Sequence, residues 1–279
     1  MLCISQHLYT LETVKMKRVE KLTSSVLRTQ KNITKINLKR RDEMEVEVIY
    51  HTPLWVCSRA IRRCWASEDK SDTAVVAKCS CCGNTYLQDE HCTLCCPSCE
   101  CSEYIFIKQA GEKDKALINR IGNQNKHSST LEHLVYSFDI DGISRACLQE
   151  VARHRMASYS VKSSRYTLKE VKESDDTSLR KLLVSTGDTF LDETNLDSLR
   201  CLRMRLNDGL SNDKAKYMLP EAFKTSYVTT INARSLQNFL QLRTSKAALW
   251  EIRELAYAMF DALPDDHKYL FEECIYSET

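Results

Sequence analysis

The 279-residue chain has little of what builds fibres, linkers or membrane spans. Six glycines and four prolines are too few for a collagen-like or linker-like chain. No run approaches the ~18 consecutive apolar residues that cross a bilayer as a helix, which excludes a helical membrane protein. No secretory leader opens the sequence, and neither an internal repeat nor a low-complexity tract interrupts it, so a cytoplasmic protein is expected. Net charge is also small: 40 Lys+Arg against 38 Asp+Glu leave +2, which excludes a generic polyanion binder. The balance is uneven along the chain. Residues 1–43 carry 10 basic and 4 acidic side chains, a local +6 that leaves −4 for the remainder. This segment reads as a basic N-terminal extension with no site of its own.

Cysteine is what the chain has in excess. Of fourteen, eight fall between residues 79 and 101, and six are scattered singly. A secreted disulfide scaffold spreads its cysteines, so local clustering points to metal. Cys79-x-x-Cys82-Gly and Cys96-Pro-Ser-Cys99 are two thiolate pairs thirteen residues apart. A Cys-x-x-Cys turn converges both sulfurs on one tetrahedral ion, and the glycine permits the tight curl. The arrangement resembles a zinc ribbon, with Cys79, Cys82, Cys96 and Cys99 as ligands. Cys81, Cys92, Cys95, Cys101 and His91 leave other ligand sets open. An insertion over 72–107 is too short to bury its own core, so ligation would supply its folding energy.

The rest predicts α+β architecture. Val46, Val48 and Tyr50 alternate as a strand. Thr52-Pro53 predicts an N-cap for a helix with Leu54, Cys57, Ile61, Cys64 and Trp65 on one stripe. Tyr136, Phe138 and Ile140 predict a second strand closed by Asp141-Gly142, and Ser144 a cap for a helix carrying Cys147, Leu148 and Val151. Helices are expected from Ala233 to Arg243 and from Leu249 to the stop at Pro264.

Two stretches carry the chemistry. Arg153-His154-Arg155 opens fourteen residues, ending at Tyr166, that hold three Arg, one His, one Lys and four Ser. Guanidinium forks and hydroxyls at this density suit a phosphate. On the helix from Ala233, Leu236, Phe239, Leu240 and Arg243 share one face. An arginine on an apolar stripe must end paired and partly buried, or in a cleft.

Together these stretches resemble the signature of the flavin-dependent thymidylate synthases: Arg153-His154-Arg155, seven residues, then Ser163, followed by Arg165-Tyr166. The stretch His127 to His133, the run Asn232 to Arg243 and Trp250-Glu251-Ile252 are similar to that family in the same order. The resemblance covers roughly 44–70 and 108–279, so the expected organisation is one synthase domain over 44–279 interrupted by the Cys-rich insertion. It implies conversion of dUMP to dTMP, with carbon from methylenetetrahydrofolate and hydride from reduced FAD regenerated by NADPH. It also implies a homotetramer with shared active sites. FAD would be held by His127, Ser129, Arg153, His154, Arg155, Met156, Val161, Asn232, Ala233, Arg234 and Asn238, with His127 and Ser129 reaching across from a neighbouring subunit. Glu150, Arg153, Val161, Lys162, Ser163, Ser164, Arg165, Lys216 and Arg243 would hold dUMP. Arg243 would be catalytic, stabilising the uracil ring deprotonated at its imide nitrogen.

Several positions depart from the family's usual pattern. Lys216 stands for an arginine, Glu150 for a glutamine, Val161 for a polar residue and Ala247 for a histidine. Ser129 and Glu132 also fit a capping box, and His133 an ordinary core histidine. Two other readings compete: a zinc-ribbon nucleic-acid-binding protein using the basic extension, and an inactive homologue that keeps the fold.

Overall fold

The computed structural model describes residues 44–87 and 104–276. The basic extension, His91, Cys92, Cys95, Cys96, Cys99 and Cys101 lie outside the described residues. The elements are β1 (Glu45–His51), α1 (Leu54–Cys64), β2 (Ala74–Cys79), β3 (Thr85–Leu87), β4 (Tyr104–Gln109), α2 (Glu112–Ile118), β5 (Val135–Ser144), α3 (Arg145–Val151), β6 (Ala157–Val161), α4 (Lys169–Glu173), α5 (Asp176–Lys181), α6 (Thr189–Asn207), α7 (Asn212–Ala215), β7 (Lys224–Asn232), α8 (Ala233–Arg243), α9 (Trp250–Asp261) and α10 (Asp265–Lys268). A 3-10 segment, Ser128–His133, leads into β5.

Four strands form an antiparallel sheet in the order β1-β5-β7-β6. Strand β5 buries Tyr136, Phe138, Ile140 and Ile143 completely, which makes it the spine of the core. It does not close at Asp141-Gly142 as expected. Gly142 has φ 83° and the pairing with β7 shifts between Ile140 and Ile143. A glycine at positive φ here makes a bulge, and the strand continues to Ser144. Strand β1 also bulges, between Val48 and Tyr50. That slip turns Tyr50 outward, 57% exposed, and leaves the half-buried His51 paired with Tyr136.

Helix α1 has Pro53 as its N-cap residue, with no side-chain cap. The Thr52 hydroxyl instead accepts from the Val135 N–H at 3.1 Å, tying the helix entrance to β5. Leu236, Phe239 and Leu240 of α8, and Ile252, Leu255, Ala256 and Met259 of α9, fill the core behind the sheet. Each of the Leu, Ile, Phe and Met side chains contributes about 1.5–3 kcal/mol through burial. A second cluster joins Leu168, Val171 and Leu179 to Leu196, Leu199, Leu202 and Leu206 of α6. Those four leucines repeat at three- and four-residue steps, the spacing of one helix face.

The Cys-rich segment forms a separate three-stranded antiparallel sheet, β3-β2-β4. Cys79, Cys81 and Cys82 lie where β2 turns toward β3. Gly83 takes φ 74° and donates its N–H to the Cys79 carbonyl at 3.0 Å, the curl its sequence position implied. At the base, Asp114 is fully buried and is met by Arg62 Nε and Ser71 Oγ at 2.6 Å and by Thr73 Oγ1 at 2.7 Å. Burial opposes its charge, yet these donors hold its carboxyl below the usual range. Asp72 accepts from the Lys113 and Asp114 N–H groups, capping α2. A Cβ at Gly111 would lie 2.4 Å from the Asp72 carboxylate, so the close approach requires glycine there.

Candidate active site

The register of the sheet gathers the segments from which FAD contacts are expected. Val135 pairs with Asn232, and Ala157 with Ile231. The segment Ser128–His133, the N-terminus of α8 and the stretch Arg153 to Met156 therefore meet at one end of the sheet. Glu132 binds Arg234 at 2.7 Å across the first two of these. The capping box expected of Ser129 and Glu132 does not form: His127 is the N-cap residue and no side chain caps the turn. His133 is exposed rather than core. His127, Ser129, Arg155, Met156 and Asn238 are exposed, with Met156 at 75%. Asn232 caps α8, its side-chain oxygen accepting from Ser235 N–H at 2.8 Å. Ala233 is completely buried, so its side chain offers no surface to a cofactor.

Beside this edge lies a cleft of about 610 Å³ whose walls include Glu150, Arg153, Glu221, Arg243 and Ala247. Arg243 ends paired and only 14% exposed, as its place on the apolar stripe required. Its Nε–H donates to His154 Nε2 at 2.8 Å, one terminal nitrogen to the Glu150 carboxylate at 2.8 Å, and the other to the Glu150 carbonyl at 3.1 Å. Arg153 also reaches the Glu150 carboxylate, at 3.1 Å. Burial disfavours the Glu150 charge, but the two guanidiniums outweigh it and hold the carboxyl below its usual range. Burial, then Arg243 and Arg153, push the His154 imidazole down to about 4. It is therefore neutral, its ring edge-on to Phe239 with centroids 4.8 Å apart.

The sequence pointed to Ser144 as the cap beneath the cleft but not to the carboxylate that holds it. Buried Glu251 accepts from Ser144 N–H at 2.6 Å and from its hydroxyl at 2.5 Å, while Ser144 Oγ accepts from Cys147 N–H as the N-cap of α3. Burial raises the Glu251 carboxyl above its ordinary value. A signal did exist: Glu251 stands four residues before Leu255 on a buried stripe, the pattern that singled out Arg243. Cys147 is fully buried and its thiol is pushed well up, first by burial and then by Glu251.

The loop expected to hold dUMP begins at the far end of β6, where Val161 pairs with Tyr227. Val161, Lys162, Ser163 and Arg165 are exposed and Ser164 is half-buried. Lys162 pairs with Glu170 at 2.9 Å, and Arg165 with Asp213 at 2.6 Å. The second pair brings the loop to α7, directly before Lys216. Five residues of β6, at about 3.3 Å each, separate this loop from the Arg153 end. One chain thus places Arg243, Glu150 and Arg153 together, and Ser163, Arg165 and Lys216 apart from them.

A family model described as thymidylate synthase complementing protein matches residues 47–266. The chain belongs to the flavin-dependent thymidylate synthase family. Flavin-dependent thymidylate synthases similar to it include one from Campylobacter jejuni, 47% identical over 241 residues, covering 84% of this chain and 99% of the relative. Another, from Wolinella succinogenes, is 49% identical over 234 residues, covering 82% and 97%. The fold is that of this synthase family as well. The crystal structure of thymidylate synthase X from Helicobacter pylori with FAD and dUMP superposes with a TM-score of 0.66, at 43% identity over 83% of this chain and 99% of that one. No helix among the described residues is long and apolar enough to cross a membrane.

Proposed function

We propose that this chain methylates dUMP reductively to dTMP, with methylenetetrahydrofolate as carbon donor and FAD, reduced by NADPH, as hydride source. The observation that carries the reading is the Arg243 guanidinium, immobilised on all three nitrogens in a cleft of a flavin-dependent thymidylate synthase fold. FAD, when bound, supplies hydride to the transferred carbon. The donor set suits an anionic, ring-bearing cofactor. Arg155 is exposed and makes no ion pair among the described residues, and Arg153 and Arg234 are 70% and 56% exposed. Together with His127, Ser129 and Asn238 they would hold FAD.

Ser163 and Arg165 would bind the dUMP phosphate, joined by Lys162, Ser164 and Lys216, while Glu150, Arg153 and Arg243 face the ring. Losing the imide proton enriches the ring carbon that attacks the one-carbon unit. Arg243 stabilises that anion without competing for the proton, because a guanidinium stays protonated. No protein nucleophile is required. Cys147 is buried with a raised thiol, and no histidine or carboxylate among the described residues hydrogen-bonds the Ser163 hydroxyl. The separation of Arg243 from the Ser163 loop across β6 favours sites completed by a second subunit, in a cytoplasmic homotetramer.

Cys79 and Cys82, with Cys96 and Cys99, would hold a structural zinc ion. No group of three or more metal-binding side chains converges among the described residues, where only half of this set lies. The curl at Gly83 suits that half.

The purified protein should be yellow and form dTMP from dUMP, methylenetetrahydrofolate and NADPH. Arg243→Ala should lower kcat by about 10²–10³, the usual cost of one oxyanion donor, while flavin absorbance persists. A colourless protein without turnover would sink the reading.

A further inference from the structure

Glu150 stands where the family pattern resembled in the sequence has a neutral amide, and the structure shows its carboxylate engaged with both guanidiniums of the cleft. Its contact with Arg243 is doubled, since the Glu150 carbonyl at the C-terminal end of α3 takes the other terminal nitrogen at 3.1 Å. His154 completes the hold with its unprotonated Nε2, so it adds no charge. Around the fork the charged wall groups are Arg153, Glu150 and Glu221, the last accepting from Gln149 at 2.9 Å. From α9, Glu251 and Glu254 act on Cys147 together with Glu150 and Arg243. Arg243 thus meets its ligand with its orientation set and part of its charge already answered.

We infer that Glu150 is a positioning residue that acts through Arg243: it fixes the guanidinium fork and its negative charge limits how strongly the cleft favours an ionised pyrimidine. This rests on the reading that Arg243 faces the uracil ring. The three charges joined at the fork, Arg153, Arg243 and Glu150, sum to +1, and Glu221 on the cleft wall brings the total to zero. A glutamine at 150 still offers an oxygen to Arg243 but raises the local charge by one. Its effect therefore separates charge from orientation. An alanine removes both.

The test uses 5-fluoro-dUMP bound to the FAD-loaded protein, followed by fluorine NMR across a pH series. Fluorine acidifies the imide, and its resonance moves when the ring ionises. In Glu150→Gln the ionisation midpoint of the bound probe should fall by about one pH unit, the effect of losing one nearby unit charge in a partly solvated site. In Glu150→Asp, which keeps the charge at shorter reach, the midpoint should stay at the wild-type value while kcat for dUMP drops. Glu150→Ala should shift the midpoint like Gln and lose more turnover than Gln does. A purely structural role would lower turnover in all three and leave the midpoint in place. Equal midpoints in wild type and Glu150→Gln, with wild type binding the probe and converting dUMP, would overturn the inference and spare the functional reading. A wild-type protein that neither binds the probe nor converts dUMP would overturn both.

Discussion

His154 sits between two cations and an aromatic edge, and that position makes it sensitive to acid in a defined direction. Its imidazole is pushed down from an ordinary 6.5 to about 4 by burial and by Arg243 and Arg153. A group with a depressed folded-state value contributes stability that is present above about 6.5 and lost as pH falls through about 4. Two and a half units correspond to about 3 kcal/mol. Chemical denaturation of the flavin-free protein should therefore show a loss approaching that size between pH 7 and 4. In His154→Gln, where a neutral acceptor replaces the imidazole, the acid-dependent loss should shrink. Arg243 was legible at this scale because a charge on an apolar helical face has few places to go. The exposure of His133 was not, because nothing in its local pattern distinguishes a core histidine from a surface one.

Helix α3 has seven residues, too few to stand without tertiary support, yet it carries Glu150 and leads directly to Arg153 and His154. Its start is held by two devices in series: Ser144 caps the helix, and Glu251 of α9 holds Ser144. Glu251→Ala leaves a buried N–H and hydroxyl without their acceptor, at a cost of about 3 kcal/mol. Thermal unfolding should register that loss. FAD-dependent turnover should fall as well, because the helix that orients Arg243 loses its anchor; Glu251→Gln, keeping one acceptor, should recover part of both. Elements with apolar periodicity, α1, α8 and α9, were readable from sequence to within about a turn. Strand β7 was not, because its inward positions include polar Thr225 and Thr229 and its outward ones apolar Val228, which leaves little hydropathy contrast. Strand β6 was hidden for a related reason: its five residues sit among cations that read as a loop.

At the scale of the molecule the chain divides its unusual composition between two tasks. Eight of its cysteines gather between residues 79 and 101, and Arg153 and Arg243 gather at the cleft beside the four-stranded sheet. The Cys-rich segment is entered through Asp72 and Thr73 and left through Gln109 and Gly111, where Ala74 of β2 pairs with Gln109 of β4. Both ends are fixed by Asp114 and Asp72 to α1 and α2, independently of any sulfur. This clamp was not legible in the sequence, since Arg62 and Asp114 are 52 residues apart and each looks like an ordinary helical charge. Breaking the buried pair would cost about 3–5 kcal/mol, an anchor for the base that uses no thiol. On the proposed zinc reading, changing Cys79 and Cys82 together to serine should remove the metal, measured by elemental analysis, and increase proteolytic cleavage within the Cys-rich segment. Flavin content and dTMP formation should stay within about twofold of wild type, as neither cysteine lines the cleft. Loss of turnover with FAD and zinc both retained would show instead that these thiols act in the reaction.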